Sequence, residues 1–258
     1  MKDLAFSAAQ SLWRRIGPYG TEVSRRAALA RAPAPEGVTA PPLRLLWSEI
    51  RSLRALGRES PPEVRARRPR PVMLLPGFGA HPRRMRPMRD ALDAAGHHAE
   101  EWGLGYNLGP TPENFAYLLR RLVRIERAYG AKVALVGWSL GGLFARELAR
   151  REPDRVACVI TMGTPFSGDM RGNNGWRAYQ LVTGYPVDAP PVACEFAVKP
   201  PVPTVALWSP RDGVVHPRSA AGWPGERDRA VALRCTHMGF AGCREATEEV
   251  LRQLDRVD

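Results

Sequence analysis

A serine between glycines, Gly137-Trp138-Ser139-Leu140-Gly141, follows the apolar run Val133-Ala134-Leu135-Val136 and precedes the helical pattern Leu143-Phe144 to Leu148. Strand, serine, helix is the context in which this spacing carries chemistry. A sharp strand-to-helix turn holds its central residue in strained backbone angles, and neighbours with side chains would collide there. Gly137 and Gly141 remove that collision, and Gly142 lets the helix pack close. The turn would present the Ser139 hydroxyl as a nucleophile. The amide of Leu140, at the helix N-terminus, would then point at a developing oxyanion.

A serine needs a base, and the base needs an acid to orient it. Of the five histidines, only His216 and His237 follow Ser139. His237 lies in Cys235-Thr236-His237-Met238-Gly239, directly after the apolar run Ala230–Leu233, on a loop at a strand end. It is the expected base. His216, beside Pro217, reads as a solvated loop or rim residue, His97 and His98 read as exposed, and His81 reads as an entrance or structural residue. The strand pattern Thr204–Trp208 leads into Ser209-Pro210-Arg211-Asp212-Gly213, which makes Asp212 the expected acid. A carboxylate there would hold the imidazole in the tautomer that accepts the serine proton. The other reading of Asp212 is the start of an Asp-Gly turn. Asp188 and Asp228 are rivals placed less well relative to strands.

A third strand end completes the set. Val72-Met73-Leu74-Leu75 runs into Pro76-Gly77-Phe78-Gly79. The amide of Phe78, just after the first glycine of this tight turn, is the expected second oxyanion donor. Because that donor is backbone, the side chain at this position matters little.

These loops need a frame. Strand patterns fall at Val72–Leu75, Ala99–Trp102, Lys132–Val136, Val156–Thr161, Thr204–Trp208 and Ala230–Leu233. Helical patterns lie between and after them at Met85–Ala95, Thr111–Tyr129, Leu140–Arg151 and Cys243–Val257, with Thr111 as cap and Pro112 at the first helical position of the second. Alternation of this kind predicts an α/β fold with a mostly parallel central sheet covered by helices on both faces.

The motifs together resemble the α/β-hydrolase superfamily, and its lipase and esterase branch in particular. The matching residues are Leu74-Leu75-Pro76-Gly77-Phe78-Gly79, Gly137-Trp138-Ser139-Leu140-Gly141-Gly142, Gly163-Thr164-Pro165-Phe166-Ser167-Gly168, Ser209 to Val215 and Thr236-His237-Met238-Gly239. Relatives often carry His where this chain has Phe166, and His-Gly where it has Pro76-Gly77. The resemblance covers roughly 71–258 and implies an α/β-hydrolase fold and a carboxylic-ester hydrolase acting on a small-molecule acyl ester, without cofactor or metal. Gly-Trp-Ser-Leu-Gly-Gly also occurs in carrier-protein methyl esterases of biotin synthesis, so that substrate class, acyl transfer and a non-catalytic scaffold on the same fold stay open. In this superfamily the position of residues 165–201 carries a cap, and here that segment is short and rich in Gly, Pro and aromatics. Trp138, Phe166, Trp176 and Met238 are expected to touch substrate.

The first 70 residues form a basic arm outside the resemblance. Lys and Arg number 14 there against 6 Asp and Glu, so the arm carries most of the formal +12 of the 258-residue chain. Helices are expected at Leu4–Ile16 and Leu43–Leu56. The first has Leu4, Ala8, Leu12, Trp13 and Ile16 on one face. Packing on the hydrolase body or contact within a homo-oligomer is the preferred role, ahead of a peripheral membrane or an acidic partner. Nucleic acid is not an expected partner, because no reading motif accompanies the charge. No apolar run approaches the ~18 residues of a membrane span. Without a secretory pattern at the start, the expected location is cytoplasmic and the four cysteines are expected to be reduced.

Overall fold

The computed structural model describes residues 20–55, 62 and 64–257. The helix expected at Leu4–Ile16 lies outside the described residues. Six strands form one parallel sheet: β1 (Pro71–Leu75), β2 (His98–Glu101), β3 (Val133–Trp138), β4 (Val156–Met162), β5 (Thr204–Trp208) and β6 (Arg229–Ala232). Their order is β2-β1-β3-β4-β5-β6, and every pair is parallel. The chain winds one way from β1 to β2 and the other way from β3 onward. The crevice at the carboxyl ends of β1 and β3 is therefore the topological switch point where ligands bind in open α/β sheets.

Period-two alternation sends the strand side chains to two cores. Val72 and Leu74 of β1 join Val136, Ile160 and Leu207 on one face. There they meet α3 (Arg86–Ala95) and α8 (Arg244–Leu254) through Met88, Leu92, Val250 and Leu254. Met73 and Leu75 point the other way with Leu135 and Val159. They pack on α4 (Pro112–Tyr129) and α5 (Leu140–Arg151) through Phe115, Leu118, Leu122, Phe144 and Leu148. Each fully buried Leu, Ile or Val side chain contributes roughly 1.5–3 kcal/mol of transfer free energy, so the sheet is a rigid platform for its loops. The start of α4 is as the sequence implies: Thr111 caps it by accepting from the Asn114 amide at 3.1 Å, and Pro112 begins it.

Three helices lacked a clear sequence signal. Residues 20–31 form α1, Trp176–Thr183 form α6 within the cap, and Pro217–Ala221 form α7. In the arm, a 3-10 turn at Leu43–Leu45 leads into α2 (Leu46–Ala55). The arm is fastened to the cap and to the strand-end loops. Gln180 donates to the Leu29 carbonyl at 2.6 Å, and Arg25 and Arg26 donate to the carbonyls of Gly184 and Val182. Asn174 bridges the carbonyls of Pro41 and Gly213. His97, expected at the surface, is instead buried, because it follows the left-handed Gly96 cap that turns α3 into β2. His98 is exposed as expected and stacks on Tyr129.

Candidate active site

The register β1–β3–β4–β5 sets four strand ends side by side: Leu75 beside Gly137, Trp138 beside Met162, and Met162 beside Leu207. The turns that follow carry Phe78, Ser139, Gly163 and Asp212. At the centre, Ser139 has φ 54° and ψ −123°, the one positive-φ non-glycine among the described residues. Its amide donates to the Met162 carbonyl at 2.8 Å, which ties the strained turn to β4.

The surrounding glycines are required by contact. A Cβ on Gly137 would lie 2.4 Å from the Gly142 Cα, one on Gly141 2.1 Å from the Leu75 oxygen, and one on Gly142 2.0 Å from the Thr164 hydroxyl. The Pro76–Gly79 turn lies directly over the elbow, with room for only 3.2 Å between a Gly77 Cβ and the Ser139 Cβ. Buried Asn107 shapes that turn. Its side chain donates to the Pro76 carbonyl at 2.7 Å, its own amide donates to Ala80 O, and its carbonyl takes the Gly79 amide at 2.7 Å. The Phe78 amide has no protein partner among the described residues. Leu140 begins α5, so its amide is one of the helix's unsatisfied first-turn donors.

Asp212 and His237 meet across two loops. Asp212 is 1% exposed; its Oδ1 accepts the amides of Val214 and Val215 at 2.8 and 2.7 Å, and its Oδ2 lies 2.8 Å from His237 Nδ1. Facing a carboxylate, a neutral imidazole keeps its proton on Nδ1 and leaves the Nε2 lone pair available. Burial disfavours the charged ring, but the Asp212 carboxylate outweighs it by charge and hydrogen bond, with Glu49 adding to the effect. The net result holds His237 above the ordinary histidine range. Trp138 Nε1 donates to the His237 carbonyl at 2.9 Å and fixes the base loop to β3. Ser209 Oγ donates to the Cys235 carbonyl at 2.6 Å and fixes it to the acid loop.

Gly163 makes the pair fit. With φ +54°, its missing Cβ would sit 2.9 Å from Asp212 Oδ2 and 3.0 Å from His237 Nδ1. Gly163→Ala is expected to lower stability by about 1–2 kcal/mol through left-handed strain alone. It should also push the ring from its carboxylate, so His237 titrates at lower pH. Urea unfolding and an NMR titration of the ring measure the two effects. An unchanged His237 titration in a folded variant would contradict this reading of the contact.

A cavity of about 290 Å³ opens onto these groups, lined by Ser139, His237, Phe78, Leu140, Trp138 and Met238 and, from the cap, by Trp176 and Tyr179. Leu46 of the arm also reaches it. Phe166 does not. Its ring is buried against Leu143 and Ala206 beneath the Arg146 guanidinium, 4.1 Å away, so the expectation that it touches substrate is corrected. Arg146 is itself buried; its Nε donates to the Phe196 carbonyl and its Nη2 to the carbonyls of Ala197, Val198 and Glu226, which pins residues 196–198. His216 caps α7 by accepting from the Arg218 amide, and Asp228 accepts the Thr204 amide, so both have structural partners. Glu49 is the principal site residue that sequence reading missed. From α2, its carboxylate accepts the amides of Gly213, His237 and Met238, each at 2.8 Å.

Comparison with known proteins agrees with this architecture. Residues 71–185 match the family described as the alpha/beta hydrolase fold. A 62-residue stretch is 36% identical to the biotin biosynthesis bifunctional protein BioHC of Teredinibacter turnerae, covering 24% of this chain. That stretch is 10% of the relative's length, so the chain matches only a small part of it. Among solved structures, the mature lipase BlEst2 of Bacillus licheniformis aligns with a TM-score of 0.52 at 17% identity, covering 76% of this chain and 94% of that one. A pyrethroid hydrolase, PytH, aligns with a TM-score of 0.52 at 16% identity, covering 73% and 98%. A protein of Listeria innocua gives 0.51 at 17% identity, covering 74% and 96%. At such identities the likeness concerns the fold: the strand order, the serine elbow and the family match over residues 71–185 together give this chain an α/β-hydrolase fold.

Proposed function

We propose that the protein is a serine hydrolase of carboxylic esters that works through an acyl-enzyme. The observation that carries this reading is Ser139 on its strained elbow sharing one apolar cavity with His237, whose ring is oriented by Asp212 at 2.8 Å. Ser139 Oγ attacks the acyl carbon while His237 Nε2 takes its proton. The amides of Phe78 and Leu140 hold the oxyanion of the tetrahedral intermediate. His237 then protonates the leaving alcohol, and a water deprotonated by the same ring releases the acid.

The cavity speaks to substrate size. At about 290 Å³ it lies at the small end of ligand pockets, which run from roughly 300 to 1,000 Å³. Each methylene it buries is worth about 0.8 kcal/mol, or about fourfold in kcat/KM. The gain should stop once the cavity is full. The expected profile for p-nitrophenyl esters is a rise through short and medium acyl chains and then a plateau, with little activity on emulsified long-chain triglycerides. Activation at a lipid interface with a steep long-chain preference would overturn it.

Labelling by a fluorophosphonate probe tests the chemistry itself. Modification of Ser139 is expected, and a folded protein that neither labels nor turns over esters would be a non-catalytic scaffold. The run Gly137-Trp138-Ser139-Leu140-Gly141-Gly142, which resembles carrier-protein methyl esterases, supports one narrower reading, an acyl ester presented on a carrier protein. Comparing free and carrier-bound methyl esters, with and without an acceptor alcohol, separates hydrolysis of either substrate from acyl transfer.

A further inference from the structure

Glu49 lies outside the matched family segment and far in sequence from any strand end, yet three backbone amides of the site converge on it. Its Oε1 accepts from Gly213 and His237, and its Oε2 accepts from Met238. The side chain belongs to α2, and its residue is 4% exposed. Burying a carboxylate is costly unless its oxygens are satisfied, and three amides satisfy this one. Gly213 marks how closely the helix approaches, since a Cβ there would lie 2.8 Å from the Leu45 carbonyl carbon. Ser52, one turn further along α2, is 2.7 Å from the Thr236 hydroxyl and docks the same helix on the same loop.

We infer that Glu49 is a positioning residue: it locks the Asp212 loop to the His237 loop and supplies a second negative charge behind the base. Gly213 directly follows the acid, and His237 and Met238 belong to the loop of the base. A single carboxylate therefore fixes the separation on which the 2.8 Å contact between Asp212 and His237 depends. Its charge favours the imidazolium that forms when Ser139 gives up its proton. The charged groups acting on the ring are Asp212, directly, and Glu49 from α2. The nearby Cys235 thiol is hydrogen-bonded to Cys243 and buried, which pushes its ionisation up and leaves it neutral. The sign follows. The base must be neutral, so activity is lost as pH falls through a His237 value that Glu49 helps to raise; removing the charge moves the acid limb to lower pH. The arm that carries α2 is on this account part of the catalytic apparatus.

The activity arm of the test rests on the ester-hydrolase reading, while an NMR titration of the His237 ring, assigned with His237→Ala, does not. In the full chain, Glu49→Gln presents an amide nitrogen to one of the three N–H donors and removes the charge. Its kcat is expected to fall about 10²-fold with KM nearly unchanged, the size of effect expected for a misplaced catalytic group. The acid limb and the His237 titration should both move to lower pH. Ser52→Ala weakens the same docking without touching the charge and should move neither. A folded Glu49→Gln with wild-type kcat, or with lowered kcat but an unmoved limb and titration, would overturn the inference. If Glu49→Gln does not fold, Glu49→Asp decides: charge retained and carboxylate withdrawn should keep the limb and lower kcat, and wild-type kcat would overturn the proposal. Absence of esterase activity in the wild type would defeat the ester reading alone, leaving the titration to judge Glu49.

Discussion

Ser139→Ala and His237→Ala are each expected to leave a folded protein whose turnover of a soluble ester drops by about 10⁶-fold, the scale seen when one member of a serine–histidine unit is removed. The fold should survive Ser139→Ala because the elbow is held by backbone: the amide of residue 139 to Met162 O, and the close passage of Gly141 under Leu75. In His237→Ala, Asp212 keeps the amides of Val214 and Val215, so its carboxylate is not left without partners. Residual activity should come from the oxyanion donors and binding alone. His216→Ala, which removes a cap on a five-residue helix, should retain turnover. Kinetics on p-nitrophenyl butyrate with far-UV circular dichroism check all three. Loss of activity in His216→Ala with retention in His237→Ala would assign the base wrongly.

Asp212→Asn is expected to cost about 10⁴-fold, and the hydrogen-bond pattern explains why the loss should be so large. Oδ1 faces two amide donors, so an asparagine must place its oxygen there. The NH₂ then faces His237 Nδ1 and donates to it. The ring responds by carrying its proton on Nε2, the nitrogen that has to accept from Ser139. The variant should remain folded, and raising the pH should not restore it, because the fault lies in the tautomer and not in protonation. Kinetics across pH, with NMR of the ring nitrogens, test this. Near-wild-type activity would mean that another carboxylate orients the base. Asp188, exposed and paired with Arg171, and Asp228, bound to the Thr204 amide, are poorly placed for that task.

The parts legible in the sequence are those written in local rules. The β3–Ser139–α5 unit combines an apolar run, a glycine pattern and a helical pattern within about 20 residues, and the α5 boundaries expected from it match the structure. Thr111 and Pro112 announce the start of α4 by cap chemistry. The Asp212 and His237 loops are visible because each follows a strand pattern. The Phe78 turn is visible for the same reason.

What the chain could not reveal alone depends on partners distant in sequence. Glu49 meets acceptor-seeking amides 164, 188 and 189 positions away, and a backbone N–H looks alike in every residue, so no spacing announces it. Asn107 likewise serves a turn some thirty residues earlier through backbone groups. Short helices such as α6 and α7 are marginal on local propensity, and contacts with the body decide them. Phe166 belongs to a recognisable motif, but the direction of its ring was chosen by Arg146 and Leu143 in the folded core. His97 is buried near Arg70 and Asp255, neighbours that only the closed fold brings together. Local periodicity and glycine sterics determined the platform and the three loops, whereas burial and long-range hydrogen bonds, which exist only after the chain has closed, decided how those loops are locked together.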